Sequence, residues 1–99
     1  SLAYSQKAVE LAPDDDNAHN NLGISLRALG KLNEATESFR KAVALKSDYA
    51  EAHANLGITL KEMSRLEEAE ASYRQAIALK PNFAEAHSNL GITLHELGR

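Results

Sequence analysis

Residues 16–49, DNAHNNLGISLRALGKLNEATESFRKAVALKSDY, decide the fold, because residues 50–83 repeat them as AEAHANLGITLKEMSRLEEAEASYRQAIALKPNF. The two segments are identical at 16 of 34 positions. A third copy starts at Ala84 and matches residues 50–65 at 12 of its 16 positions. Upstream, residues 7–15 align with the end of the first segment. Self-similarity at a fixed period of this length indicates a repeat array rather than an ordinary globular domain.

Each copy contains two runs of apolar residues at helical spacing. Leu22, Leu26 and Leu29 follow one another at steps of three and four, and a second stripe begins after Gly30. Glycine suits a helix end with positive φ, and Ser64 replaces it in the next copy. We therefore predict an all-α chain with helices near 2–11, 17–29, 33–45, 51–63, 67–79 and 85–97. The predicted units are a second-helix half-repeat (1–15), full repeats (16–49 and 50–83) and a first-helix half-repeat (84–99).

Helix starts carry a capping pattern in two copies. Asp48 stands three residues before Glu51, and Asn82 three residues before Glu85, which is the spacing of a capping box. We expect these side chains to cap the helices that follow.

A glycine recurs in the middle of each predicted first helix, at Gly23, Gly57 and Gly91. Glycine costs a helix interior roughly 1 kcal/mol relative to alanine, so a close approach by a neighbouring helix is the expected reason. We expect Ala35 and Ala69 to make that approach. The larger Phe39 and Tyr73 are then expected to fill the space between successive helical hairpins.

The pattern of His19, Leu22, Gly23 and Leu26, followed by Ala35, Phe39 and Ala42, resembles the tetratricopeptide repeat. It recurs from His53 and again from His87. Histidine stands where that family usually has Trp or Tyr, and Ser47 replaces the usual Pro. The resemblance implies an α-solenoid of antiparallel helix pairs that form a right-handed superhelix, with the first helices lining its concave side.

If the first helices line a concave face, one set of side chains faces a ligand. The predicted peptide-binding residues are Asn20, Asn21, Ile24, Arg27, Glu51, Asn55, Ile58, Lys61, Glu85, Asn89, Ile92 and His95. The recurrence of Asn21, Asn55 and Asn89 is the most specific feature, since an amide can clamp a peptide backbone whatever its sequence. This ladder resembles the one inside the repeat superhelix of O-GlcNAc transferases. The alternative is that these amides bond neighbouring helices.

Isoleucine recurs three residues after each of these asparagines. At the concave face it forms an apolar strip suited to an extended peptide with spaced apolar side chains. The alternative is packing between first helices.

Chaperone adaptors of the same family grip an acidic carboxyl terminus with a clamp of Lys, Asn and Arg. The matching positions here are Asn20 and Ile24, then Asn55, then Glu85 and Asn89, and only Asn55 fits. Glu85 opposes a carboxylate, so we predict no binding of this kind.

Histidines at a 34-residue period belong to different hairpins, about 8–10 Å or more apart, whereas metal ligands lie about 2.0–2.1 Å from one ion. We interpret His19, His53 and His87 as packed at helix starts and predict no metal site, no cofactor and no enzyme activity. No phosphate loop or nucleophile elbow is present in the sequence.

Composition narrows the function further. The net charge is −3 with both signs interspersed, which gives no footprint for nucleic acid or an anionic membrane. No apolar stretch reaches the roughly 20 residues that span a bilayer, and the first residues lack the basic-then-apolar pattern of a secretory signal. The absence of cysteine is compatible with a cytoplasmic location.

Three hypotheses follow. The first is a protein-interaction scaffold that holds a peptide or protein segment on its concave face, as part of a longer array. The second is a targeting arm of a larger enzyme such as a glycosyltransferase. The third is head-to-tail self-association through Leu90, Leu94 and Leu97, which the sequence predicts to be exposed on the last helix.

Overall fold

A computed structural model describes all residues, 1–99, and contains six α-helices. They are α1 (Leu2–Leu11), α2 (Asp16–Ala28), α3 (Leu32–Leu45), α4 (Ala50–Glu62), α5 (Leu66–Leu79) and α6 (Ala84–Glu96). The predicted all-α class is confirmed, and every predicted helix boundary lies within one residue of the observed one. None of the six helices has the length and apolar character needed to cross a membrane.

The helices pack in chain order, each against the one before and the one after. The molecule is elongated, with extents of 43 × 26 × 18 Å. Its main core joins α2, α3, α4 and α5, and consists of Leu26, Ala35, Phe39, Leu56, Leu60, Ala69 and Tyr73. A smaller alanine cluster, Ala54, Ala76 and Ala86, joins α4, α5 and α6. Small residues therefore lie where helices meet most closely, and two aromatic rings fill the larger gaps.

The mid-helix glycines face aromatic rings, so the prediction that alanines approach them is wrong. A Cβ on Gly23 would lie 2.6 Å from Phe39 Cε1, and a Cβ on Gly57 would lie 2.7 Å from Tyr73 Cε1. Each ring thus packs on the backbone of the first helix in its own repeat, where even a methyl group has no room. Gly91 has nothing within 4 Å of the equivalent point.

The turns between paired helices use the left-handed region of backbone conformation. Gly30 has φ of 77° and Gly98 has φ of 80°, as expected from their positions after α2 and α6. Ser64 takes the same conformation with φ of 62° and is the only non-glycine residue with positive φ. The turn geometry is therefore kept in the middle repeat although the residue that favours it is not.

The predicted capping boxes do not form. Tyr49 and Phe83 occupy the cap positions of α4 and α6, and neither helix has a side-chain cap. Lys46 Nζ lies 5.0 Å from the centre of the Tyr49 ring, and Lys80 Nζ lies 4.6 Å from that of Phe83. Packing of the aromatic residue, with its cation–π contact, takes the place of a hydrogen-bonding cap at these entries.

Candidate functional site

The first helices of the repeats, α2, α4 and α6, form the inner layer of the solenoid. The backbone of α4 contacts those of both α2 and α6, whereas α1, α3 and α5 make no such contact with one another. Only long side chains cross the outer layer, as where Arg40 Nη2 lies 3.2 Å from Glu68 Oε2. Because the more closely spaced layer lies nearer the centre of curvature, the first helices line the concave face.

The three asparagines of the ladder have different environments. Asn55 Nδ2 donates to Asn20 Oδ1 at 3.1 Å, joining α4 to α2. Asn20, predicted to meet a ligand, is instead buried, with 6% of its surface exposed. Asn21 is exposed and Asn89 is half-buried, and neither side chain makes a hydrogen bond within the protein. The alternative that these amides bond a neighbouring helix therefore holds for Asn55 alone. The side-chain amides of Asn21 and Asn89 are free.

The isoleucine strip is exposed at both ends and covered in the middle. Ile24 is 42% exposed and Ile92 is 51% exposed. Ile58 is half-buried and packs against the main core. The predicted strip thus has two accessible apolar side chains, Ile24 and Ile92, and a partly buried one, Ile58, between them.

Both half-buried basic side chains of this face are paired with acidic residues of the next first helix. Arg27 Nε lies 3.8 Å from Glu62 Oε1, and Lys61 Nζ lies 3.1 Å from Glu96 Oε1. In both pairs the acid follows the base by 35 residues. Ion pairs that are partly open to solvent contribute little stability, about 0–1 kcal/mol, but these two neutralise the positive charge that a ligand would meet.

Three further charged or titratable residues belong to the predicted site. Glu51 Oε2 lies 3.5 Å from Lys80 Nζ. Glu85 and His95 are exposed and make no ion pair or side-chain hydrogen bond. Nearby, Tyr49 donates from its hydroxyl to Asn17 Oδ1 at 2.7 Å, and burial together with the charge of Asp16 raises the pKa of this tyrosine.

The repeated histidines hold the chain at the start of each first helix. The Nε2 atoms of His19, His53 and His87 lie 2.7, 3.1 and 2.7 Å from the carbonyl oxygens of Pro13, Ser47 and Pro81. In each case the partner is six residues upstream, in the loop that leads into the helix. This agrees with packing at the helix start, and no group of three or more His, Asp or Glu side chains is arranged to hold a metal ion.

The leucines predicted for self-association are less exposed than expected. Leu90, Leu94 and Leu97 are half-buried, and Leu90 packs against the main core. Between α5 and α6 lies an open groove of about 430 Å³, lined by Arg74, Ile77, Ala78, His87 and Leu90. The accessible apolar surface at this end is therefore a groove between two helices rather than a leucine stripe.

Sequence reasoning missed the pairing across the first helices. Asn20 with Asn55, Arg27 with Glu62, and Lys61 with Glu96 are all 35 residues apart. The sequence does contain a signal for these pairs, because a basic residue is followed by an acidic one 35 positions later in two successive repeats. Aligning the repeats at 34 residues does not reveal it.

The repeated helix pairs, the aromatic rings on mid-helix glycines and the curved inner layer define an α-solenoid repeat protein. The chain belongs to the tetratricopeptide repeat family. A family model described as TPR repeat matches residues 25–64 and 59–98, and one described as tetratricopeptide repeat matches residues 4–37. No curated protein sequence matches the chain significantly.

Several solved structures superpose closely on this chain. The first TPR of Spaghetti (RPAP3) bound to HSP90 peptide SRMEEVD has a TM-score of 0.95 and 26% identity, covering 99% of this chain and 78% of that one. MamA has a TM-score of 0.93 and 26% identity, covering 98% of this chain, which spans 57% of MamA. The Sgt2 TPR domain from Aspergillus fumigatus has a TM-score of 0.93 at 20% identity, covering 98% of this chain and 66% of that one, and so shares the fold.

Proposed function

We propose that this chain is a protein-interaction scaffold that holds an extended segment of a partner protein on its concave face. The observation that carries the proposal is the pair of free amides, Asn21 and Asn89, each one helical turn from an accessible isoleucine. An amide supplies two donors and an acceptor to a peptide backbone, and the isoleucines supply contact area. The likeness to a domain solved with an HSP90 peptide supports a peptide as the ligand class.

The test is a displayed library of random peptides selected on the chain, followed by affinity measurement with variants. We expect Asn21→Ala combined with Asn89→Ala to weaken selected peptides about tenfold, since two hydrogen bonds contribute about 0.5–1.5 kcal/mol each. Asn33→Ala combined with Asn82→Ala is the matched control, because both asparagines are exposed and make no side-chain hydrogen bond. Loss of binding with changes on α3 but not with the Asn21 and Asn89 changes would contradict the proposal.

We further propose that the ligand is not an acidic carboxyl terminus, although HSP90 peptide SRMEEVD ends in such residues in the Spaghetti (RPAP3) structure. At the clamp positions, Asn55 already donates to Asn20, and Glu85 is exposed with no cation beside it. Arg27 and Lys61 are engaged with glutamates. Submicromolar binding of that peptide in calorimetry, lost with Asn55→Ala, would overturn this expectation.

A second candidate is head-to-tail self-association, which the groove between α5 and α6 favours. The groove is lined by Ile77, Ala78 and Leu90, so an apolar helix face can pack there. The proposed occupant is α1 of a second copy, which carries the second-helix pattern KAVEL. Ile77→Asp is expected to keep the chain monomeric at concentrations where the original chain associates. A molar mass that stays monomeric across the concentration range in light scattering would rule this candidate out.

A further inference from the structure

An outer groove lies between α1 and α3, in the layer of second helices. It has a volume of about 270 Å³, and Leu22 and Leu26 of α2 contribute its apolar lining. Gln6 of α1 and Glu34 of α3 line its two sides. Pockets for small molecules enclose roughly 300–1,000 Å³, so this groove suits one long side chain rather than a whole small molecule.

The equivalent groove of the next repeat is closed by an ion pair. Between α3 and α5, Arg40 Nη2 lies 3.2 Å from Glu68 Oε2, and no cavity of similar size is present there. A shift of 34 residues places Gln6 at the position of Arg40 and Glu34 at that of Glu68. Gln6 has no charge, and Glu34 makes no ion pair or side-chain hydrogen bond. The outer groove therefore keeps the acid and lacks the base.

Ser38 supplies the outer groove with a polar group that has no partner in the protein. The residue is 8% exposed and lines the groove. On the same helix the hydroxyl of Thr36 donates to Leu32 O at 2.9 Å, whereas that of Ser38 makes no hydrogen bond. The Tyr73 hydroxyl is the single unpartnered side-chain group that is closed to solvent, so the Ser38 hydroxyl opens into the groove. Buried polar groups are normally hydrogen-bonded, and here a ligand can supply the bond.

His19 lines the same groove and adds an acceptor. Its Nε2 lies 2.7 Å from Pro13 O, and because a carbonyl oxygen only accepts, Nε2 carries the hydrogen. In the neutral ring Nδ1 is then an acceptor, and it makes no hydrogen bond within the protein. With the Glu34 carboxylate and the Ser38 hydroxyl, the groove offers acceptors of three kinds.

The charge of the outer groove favours a cation with several donors. Its charged side chains are Glu34, Glu37 and Lys41, which sum to −1, and none of them forms an ion pair within the protein. A guanidinium has five N–H donors in a planar fork that matches a carboxylate with two hydrogen bonds. The ammonium of lysine is a strongly hydrated point charge without this fork. Arginine therefore fits the acceptors of the groove better than lysine does.

We propose that the outer groove binds the side chain of an arginine from a partner protein, at the position that Arg40 occupies in the next repeat. The guanidinium donates to the Glu34 carboxylate and to Ser38 Oγ, and the aliphatic stem packs on Leu22. The site lies outside the concave face, so this inference does not rest on the proposed function.

The experiment is an NMR titration of the full chain with Nα-acetyl-arginine amide. We expect saturable shifts of the backbone amide signals of Glu34 and Ser38. Glu34→Gln should weaken binding about tenfold, because hydrogen bonds to charged groups are the stronger ones. Glu67→Gln should not, and it is the matched control because this carboxylate is exposed on α5 and forms no ion pair. Nα-acetyl-citrulline amide, which keeps the shape of arginine without its charge, should also bind about tenfold more weakly.

A second pair of variants closes the groove from within the protein. Gln6→Arg recreates the pair that Arg40 forms with Glu68 and should weaken binding of the capped arginine at least about tenfold. Gln75→Arg makes the same change at an exposed position of α5 and should leave binding unaltered. Undiminished binding by the Gln6→Arg variant overturns the inference. So do the absence of saturable shifts at the outer groove and an equal affinity for Nα-acetyl-lysine amide.

Discussion

At the scale of single residues, the glycines give the sharpest energetic contrast. Gly57→Ala is expected to destabilise the fold by about 1–3 kcal/mol, because the new Cβ overlaps the buried Tyr73 ring and overpacking carries that cost. In Gly91→Ala, at the equivalent position of α6, the new Cβ meets nothing within 4 Å. Only the higher helix propensity of alanine then acts, and this change should stabilise the fold by up to about 1 kcal/mol. Urea unfolding of both variants measures the difference. Similar effects of the two changes would show that ring contact does not account for the glycine.

Tyr73 has a buried hydroxyl group that reduces the stability of the fold, and Phe39, its equivalent in the preceding repeat, has no such group. Its ring is fully buried and its hydroxyl has no hydrogen-bond partner. A buried unsatisfied polar group costs about 1–3 kcal/mol, so Tyr73→Phe should leave stability unchanged or raise it at neutral pH. Tyr4→Phe, at a site 81% exposed, is the control and should have no effect.

The same hydroxyl gives a pH dependence with a definite sign. Burial raises the pKa of Tyr73 to about 12, above the ordinary value of 10.0. Between pH 10 and about 12 the folded state therefore retains a proton that the unfolded state releases. The free energy of unfolding is unaffected by this group below pH 10 and falls as the pH rises from 10 through 12. In urea titrations between these limits Tyr73→Phe should lose less stability than the original chain. Parallel losses in the two proteins would contradict the assignment.

At the scale of helices and loops, each first helix is tied to the loop before it by its histidine. His53→Ala should cost about 1 kcal/mol, the typical net contribution of one hydrogen bond, because Ser47 O loses its partner. His95→Ala is the matched control, since that side chain is exposed and bonds nothing. Denaturant midpoints of the two variants compare them. A loss with His95→Ala as large as with His53→Ala would argue against the tether.

Sequence predicted the helices well and their contacts poorly, for a physical reason. Apolar spacing places α2 to α6 within one residue, since the buried face of a helix is a property of its own segment. Side-chain contacts between successive first helices run at an offset of 35, as from Asn20 to Asn55, whereas self-alignment at 34 identifies equivalence rather than proximity. The division between free and bonded asparagines follows from this offset, because Ala54 stands where Asn89 would find its partner.

The prediction of capping boxes failed for a related reason. Asp48 and Asn82 have the spacing of caps, but the aromatic residue that follows each of them occupies the cap position. Packing of Tyr49 and Phe83 with Lys46 and Lys80 is a contact across the loop that a local motif does not report.

At the scale of the whole molecule, stability is distributed unevenly along the solenoid. α1 has no buried residue and α6 has two, whereas α4 has seven. Hydrogen exchange should therefore show the strongest amide protection in α2, α3, α4 and α5, and opening of α1 and α6 at lower free energy. Uniform protection across all six helices would instead indicate a single cooperative unit.

The constant offset between paired residues has a consequence for changes in chain length. Removing residues 50–83 would place Asn89 beside Asn20 and Glu96 beside Arg27, so the partners lost from these two contacts are replaced by residues of the same type. Deletion or duplication of whole 34-residue units therefore preserves these contacts between successive first helices. A change of any other length would rotate a helix face away from its neighbour, and so the inner layer of first helices can lengthen or shorten only by complete repeats.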